Sequence, residues 1–159
     1  IHCLAVGFGS GLLKPAPGTW GTLAALPFFF ALALLGFEAY CVIVAFAFIA
    51  GCFICGKASH DAGTHDHSAI VWDEFVGLWV TYIVLVYLGL TTLQHLPWIA
   101  LGFVLFRFFD ILKPFPIGLL DKRIHGGVCI MLDDLVAGLY AMAILWLSIE
   151  AYKSYIGIA

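Results

Sequence analysis

Charge is what this sequence has least of: seven Lys and Arg and ten Asp and Glu among 159 residues, 11% of the chain, against a hydrophobic share of 64% and a mean hydropathy of +1.08. An ordinary soluble domain carries about 25% charged residues, so the composition excludes that class. A net charge of −3 gives no basic footprint for nucleic acid, which is excluded as a partner. The five cysteines are odd in number, and Cys41, Cys52 and Cys55 lie within an apolar run, where they read as small hydrophobes and not as a disulfide framework. Cys52 and Cys55 have the CxxC spacing but no second pair accompanies them, so a zinc or redox site lacks its usual companion. No basic segment followed by a cleavage site stands near Ile1, and because the chain opens on Ile and not Met, a natural N-terminal segment is expected ahead of it.

The chain does have long apolar runs without strand-like alternation, near the roughly 20 residues that a helix needs to cross a bilayer. Lipid offers the backbone no hydrogen-bond partners, so such runs must be helices. The expected fold is all-α, a polytopic membrane bundle in a single domain over residues 1–159, with about five membrane helices at 20–37, 39–56, 74–91, 96–113 and 134–150. The connections near Glu38 and at 92–95 are short, which makes two hairpins. Parity then places residues 1–19, 57–73 and 114–133 on one membrane face. Lys14, Lys57, Arg107, Lys113, Lys122 and Arg123 lie on or beside that face and Lys153 lies opposite, so the polar loops are expected on the cytoplasmic side.

The same face collects Asp61, Asp66, Asp73, Glu74, Asp110, Asp121, Asp133 and Asp134, leaving Glu38 and Glu150 elsewhere. Acids near membrane helix ends need water, a partner or a cation, and this concentration reads as a site. Asp73 with Glu74 and Asp133 with Asp134 form adjacent pairs at two expected helix starts. Adjacent helical positions point about 100° apart, so one acid of each pair can aim at a given ion while the other caps or orients a neighbour. As a purely structural alternative, acids at a helix N-terminus complement its dipole. His65 and His67 flank Asp66 and would suit zinc, but the surplus of oxygen donors suits a hard cation such as Mg²⁺ better.

Residues 7–22 are rich in Gly and Pro and lead into the first helix. Two readings stand: a backbone N–H nest for phosphate, with Ser10, Lys14, Thr19 and Thr22 adding donors, or a flexible turn in which Thr19 or Thr22 caps the helix. Arg107 and Asp110 are three apart and share a helix face, with Lys113 one turn further on. An arginine inside the apolar run 105–109 should point into the bundle, where its fork matches a phosphate. Residues 117–125 read as an interfacial helix with Lys122 and Arg123 toward anionic headgroups, and Gly126 with Gly127 as a hinge. Ala47, Gly51 and Cys55, and Gly77, Gly102 and Gly138, are small residues placed for close helix packing.

Carboxylates, a glycine-rich loop and inward basic residues at one membrane face point to phosphoryl chemistry on a lipid headgroup. No cysteine has an arginine six residues later and no aspartate another two positions on, which excludes the cysteine-phosphate and DxD routes and leaves water activated by Mg²⁺. Four segments, GFGSGLLKPAPGTWGTLAALP, HDHSAIVWDEFVGLW, FRFFDILKPFPI and DKRIHGGVCIMLDDLVAG, occur in order and together resemble the phosphatidylglycerophosphatase A family over essentially the whole chain. The resemblance implies a Mg²⁺-dependent membrane phosphatase acting on the phospholipid phosphatidylglycerophosphate to give phosphatidylglycerol and inorganic phosphate. The working hypothesis takes Glu74, Asp110 and Asp134 as first-choice metal ligands, with Asp73 and Asp133 as ligands or their supports. Ser10, Lys14, Thr19, Thr22, Arg107 and Lys113 hold phosphate, and Asp73, His65 or His67 moves the proton. The alternatives are a broader lipid phosphatase that accepts phosphatidate, a small divalent-cation transporter with acids near the bilayer midplane, and a non-catalytic scaffold.

Overall fold

A computed structural model describes residues 2–13, 15–62, 69–113, 115 and 127–157. Among these the regular structure is helical throughout: α1 His2–Ala5, a 3₁₀ turn Gly7–Leu12, α2 Pro17–Ala33, α3 Phe37–Ala62, α4 Trp72–Thr81, α5 Ile83–Tyr87, a 3₁₀ turn Leu93–His95, α6 Leu96–Leu112 and α7 Gly127–Ile156. The all-α expectation holds.

Several boundaries differ from those expected, each for a local reason. Helix α2 begins at Pro17 instead of residue 20, because a proline at the first helical position has its φ preset and gives up an N–H that would be unbonded there anyway. Neither Thr19 nor Thr22 therefore caps it; the N-cap is Ala16, which makes no side-chain bond. Helix α3 continues past residue 56 through a polar last stretch in which Lys57 Nζ and Asp61 Oδ2 pair at 3.6 Å, four residues apart. The expected helix 74–91 is two, bent at Tyr82. Backbone bonds carry on across the bend, from Tyr82 N to Leu78 O and from Val86 N to Tyr82 O, both 3.1 Å. Helix α7 starts at Gly127, not 134, so Gly127 is the first residue of a helix instead of part of a hinge; Gly126 lies outside the described residues. A side chain at 127 would run into the backbone of Cys52 and Gly56, so glycine lets α7 begin in direct contact with α3. Asp133 and Asp134 consequently stand in the second turn of α7, buried, and not at its first residue.

Helix α4 is the centre of the bundle. Every residue from Phe75 to Thr81 is buried, and α2, α3, α6 and α7 all pack on it. Its aromatic neighbours end on backbone carbonyls, as buried polar tips must. Trp79 Nε1 donates to Ala25 O at 3.1 Å, Trp72 Nε1 to Ala47 O at 3.2 Å, and Tyr40 OH to Trp79 O at 2.7 Å.

Three helical stretches are long and apolar enough to cross a membrane, Phe37–Asp61, Leu93–Leu112 and Gly127–Ile156, and α2 is a shorter apolar helix. Helix α3 turns a continuous row of Val42, Phe46, Ile49 and Phe53 outward. A row of exposed large apolar side chains at helical spacing is what lipid, not water, accepts. The two ends of the bundle differ. At one, Phe37 stacks edge-on with Tyr87 at 5.4 Å and Trp98 with Tyr152 at 5.5 Å. At the other lie the starts of α2, α4 and α7 and the ends of α3 and α6, which carry most of the described acids.

Candidate functional site

The centre of the polar end is Arg107. It sits in the last turns of α6 with its side chain 17% exposed, inside an otherwise apolar segment, and turns inward as expected. Its Nη1 lies 2.7 Å from Asp110 Oδ2, one turn on, and 3.2 Å from Glu74 Oε2 in the first turn of α4. The same nitrogen donates to Thr22 Oγ1 on α2 at 3.5 Å. Thr22 is fully buried, and its oxygen lies 2.8 Å from Glu74 Oε2 and 2.9 Å from Gly18 O, two acceptors for a single hydroxyl proton. Residues from three helices thus form one charged network in a largely dry setting.

A second group adjoins it from α7. Asp134 interacts electrostatically with Asp73, Asp110 and Glu74, and in the opposite sense with Arg107. Asp133 Oδ2 accepts from Lys113 Nζ at 3.1 Å. Beneath them Cys55 feels the charges of both Asp73 and Asp134, and its thiol meets Met131 Sδ at 3.8 Å. Four of the five acids assigned to the site from the sequence, Asp73, Glu74, Asp110 and Asp134, therefore lie within electrostatic reach of one another, while Asp133 pairs with Lys113. Close packing brings them together: a Cβ on Gly77 of α4 would strike the Phe106 ring and Asp134 O, and one on Gly138 would strike Gly77 O.

Four buried atoms in this group lack a hydrogen-bond partner among the described residues. They are the carboxylate oxygens Asp73 Oδ1, Asp133 Oδ1 and Asp134 Oδ2 and the guanidinium nitrogen Arg107 Nε. Three are acceptors and one is a donor, so the site as built calls for both a positive and a negative ligand group.

The phosphatidylglycerophosphatase A family profile matches residues 3–149, nearly the whole chain. The chain belongs to that family. The phosphatidylglycerophosphatase A of Haemophilus influenzae is 49% identical over 147 residues, covering 92% of this chain and 86% of the relative. That of Escherichia coli is 44% identical over 145 residues, covering 91% of this chain and 81% of the relative. No solved structure matches.

The remaining site residues expected of a phosphatidylglycerophosphatase A divide into three groups. Thr22 and Arg107 are in the network, with the Thr22 hydroxyl engaged by Glu74 and Gly18. Ser10 donates to Gly7 O at 2.8 Å within its own turn, and Thr19 stands half-buried in the first turn of α2. Lys14, His65 and His67 lie outside the described residues. The 3₁₀ turn containing Ser10 is docked, not loose: Val71 N donates to Ala5 O at 2.8 Å, and Gly11 abuts Ala69 O. Glu74, Asp110 and Asp134 are hard oxygen donors of the class that a divalent cation such as Mg²⁺ takes, and Asp134 Oδ2 is buried without a hydrogen-bond partner among the described residues. Among the described residues, however, no three His, Cys, Asp or Glu side chains already stand grouped as a metal cage. Arg107 occupies the space between two of the acids. Sequence reasoning missed Gly18, whose only signal was its place in a glycine-rich stretch.

Proposed function

We propose that this chain is a lipid phosphatase that hydrolyses phosphatidylglycerophosphate to phosphatidylglycerol and inorganic phosphate at the polar end of the bundle. The observation that carries the reading is Arg107: an inward, mostly buried guanidinium shared between Glu74 and Asp110, with Nε still unserved. A phosphomonoester dianion offers that fork the acceptors it lacks. Membership of the phosphatidylglycerophosphatase A family names the lipid.

The roles follow from placement. Arg107 holds the phosphoryl oxygens, and Thr22 keeps the Glu74 carboxylate turned toward the guanidinium. Lys113, its side chain 40% exposed and paired with Asp133, meets the headgroup from the water side in this reading. Mg²⁺ held by Glu74, Asp110 and Asp134 would supply Lewis-acid activation of water and neutralise charge on the phosphoryl group. Asp73, or His65 or His67, takes the proton from the attacking water; the bond from phosphorus to the glycerol oxygen breaks, and the same group hands the proton on to that oxygen as it leaves.

The five-crossing topology belongs to the same proposal. Helices α2 and α4 with α5 complete the crossings beside the three long apolar spans, and the site faces the cytoplasm of a bacterial inner membrane. The basic residues on the loop side support that orientation. Placement also favours hydrolysis over cation transport, because Glu74 is in the first turn of α4 and Asp110 in the last turns of α6, at helix ends instead of mid-span.

The deciding experiment is phosphate release from phosphatidylglycerophosphate by the detergent-purified protein, with Mg²⁺ and then with EDTA. Release that stops on chelation and returns with Mg²⁺ is expected. Glu74→Ala and Asp134→Ala should each lower turnover by about 10²-fold or more while the protein still purifies folded. Near-normal turnover in both variants would sink the ligand assignment, and no release with any divalent metal would sink the hydrolase reading.

A further inference from the structure

We infer that Gly18 is a positioning residue of the site: the missing side chain at this place holds open the space in which Glu74 and Arg107 meet. The inference rests on the phosphatase reading above and adds a residue that acts through the pair instead of touching substrate.

Gly18 is the second residue of α2, directly after Pro17, and its helical backbone needs no left-handed φ. Conformational freedom is therefore not what glycine supplies here. Space is. A Cβ built on Gly18 would collide with Glu74 Oε1 and come within 3.0 Å of Arg107 Nη2 and 3.1 Å of Nη1. All of these atoms are the far ends of flexible side chains. The collision would leave the backbone where it is and move the carboxylate and guanidinium.

Gly18 also carries the other half of the arrangement, since its carbonyl oxygen lies 2.9 Å from Thr22 Oγ1, which in turn touches both Glu74 and Arg107. The first turn of α2 thus fixes the ion pair from two sides, by a carbonyl that aligns the threonine and by an absent methyl that leaves room.

Gly21, one turn along the same helix, is the contrast. A Cβ there would meet the Cβ of Val71 at 2.6 Å, and Val71 is fully buried and branched at that carbon, so it has nowhere to rotate. Gly21 is a packing residue. Gly18 faces chemistry.

The difference gives the test. Ala is the better helix former at both places. In Gly18→Ala the melting temperature of the detergent-purified protein is expected to fall less than in Gly21→Ala, the gain in helix propensity offsetting part of the disturbed ion pair, while kcat for phosphate release falls roughly 10²-fold, the scale of a misplacement of about 1 Å. Gly21→Ala is expected to lose melting temperature, with activity following the folded fraction. Glu74→Asp withdraws the carboxylate from position 18, so the penalty of Gly18→Ala should shrink about tenfold or more in that background.

A Gly18→Ala protein with kcat within about threefold of wild type would overturn the inference. So would a melting temperature that drops as in Gly21→Ala, a rise in KM with kcat unchanged, or the full penalty persisting beside Glu74→Asp. A wild-type protein that releases no phosphate would instead remove the phosphatase reading, and this residue's role with it.

Discussion

Lys113 donates from Nζ to Asp133 Oδ2 across 3.1 Å, tying the end of α6 to the second turn of α7. Lys113 does this from a left-handed backbone, φ 42 and ψ 62, which a residue with a side chain adopts only at a cost of about 1–2 kcal/mol. The Asp133 side chain is 8% exposed and the lysine 40% exposed, so the pair is shielded on one side and screened on the other. Lys113→Ala should therefore destabilise by about 1–2 kcal/mol, between a surface pair and a buried one. Denaturant unfolding in detergent checks this. In a double-mutant cycle with Asp133→Asn, the second substitution should add little to the first.

Thr22→Val keeps the shape of a fully buried side chain and deletes the hydroxyl that Glu74 and Arg107 share. The bond lost to Glu74 is charge-assisted and 2.8 Å long. The expected loss is about 1.5–3 kcal/mol of stability, and a fall in kcat of about tenfold as Glu74 gains freedom to rotate. Thr22→Ser, which retains the hydroxyl, should recover most of the activity. Equal activity in the Val and Ser variants would show that the hydroxyl does nothing for turnover.

Gly77 on α4 and Gly138 on α7 let two backbones touch. A Cβ at 138 would stand 2.5 Å from Gly77 O and 3.3 Å from Val80 Cβ, and a carbonyl cannot rotate away. Thr81 Oγ1 reaches both Gly77 O, at 3.1 Å, and Gly138 O, at 3.3 Å, stitching the same contact. Gly138→Ala must then push α7 off α4 and carry Asp134 away from Glu74. The expected cost is about 2–3 kcal/mol, seen as a lower melting temperature, with turnover falling further than the folded fraction alone explains. A variant with wild-type melting temperature would show that α7 has room to move.

How far the sequence revealed this molecule depended on which signals were periodic or chemical. The apolar runs marked α3 and α6 as helices because lipid leaves the backbone no alternative. Arg107 was readable as inward-facing because a charge in the run 105–109 has nowhere else to go. Parity suggested a common face for the acids, and in the fold Asp73, Glu74, Asp110 and Asp134 lie within electrostatic reach of one another. The bend at Tyr82 was not readable, since its cause is tertiary: Tyr82 OH reaches Ile99 O on α6 at 2.7 Å, and Thr81 is held by α7. Nor was the early start of α7, where Gly127 reads locally as a breaker but is placed by contact with Cys52 and Gly56. Thr22 looked like a phosphate donor from its loop, and its engagement with Glu74, 52 residues away, follows from helix packing that no local pattern records. Gly18 was invisible for a related reason: what it contributes is empty space beside side chains from two other helices.

Arg107→Lys separates charge from geometry at the centre of the site. Arg107 Nη1 reaches Asp110 Oδ2 at 2.7 Å and Glu74 Oε2 at 3.2 Å, leaving a buried Nε for another acceptor. An ammonium keeps the positive charge but offers a single nitrogen, so it can neutralise the two acids or meet a phosphate and cannot do both in the guanidinium's plane. Stability should change little, because the Glu74 and Asp110 charges remain countered. Turnover should not survive in the same way: kcat/KM for phosphatidylglycerophosphate is expected to fall about 10²-fold, with KM rising as phosphate binding weakens. Steady-state kinetics alongside a melting curve checks both halves. A lysine variant as active as wild type would mean that Arg107 serves only as a counter-charge to Glu74 and Asp110, and that phosphate is held elsewhere.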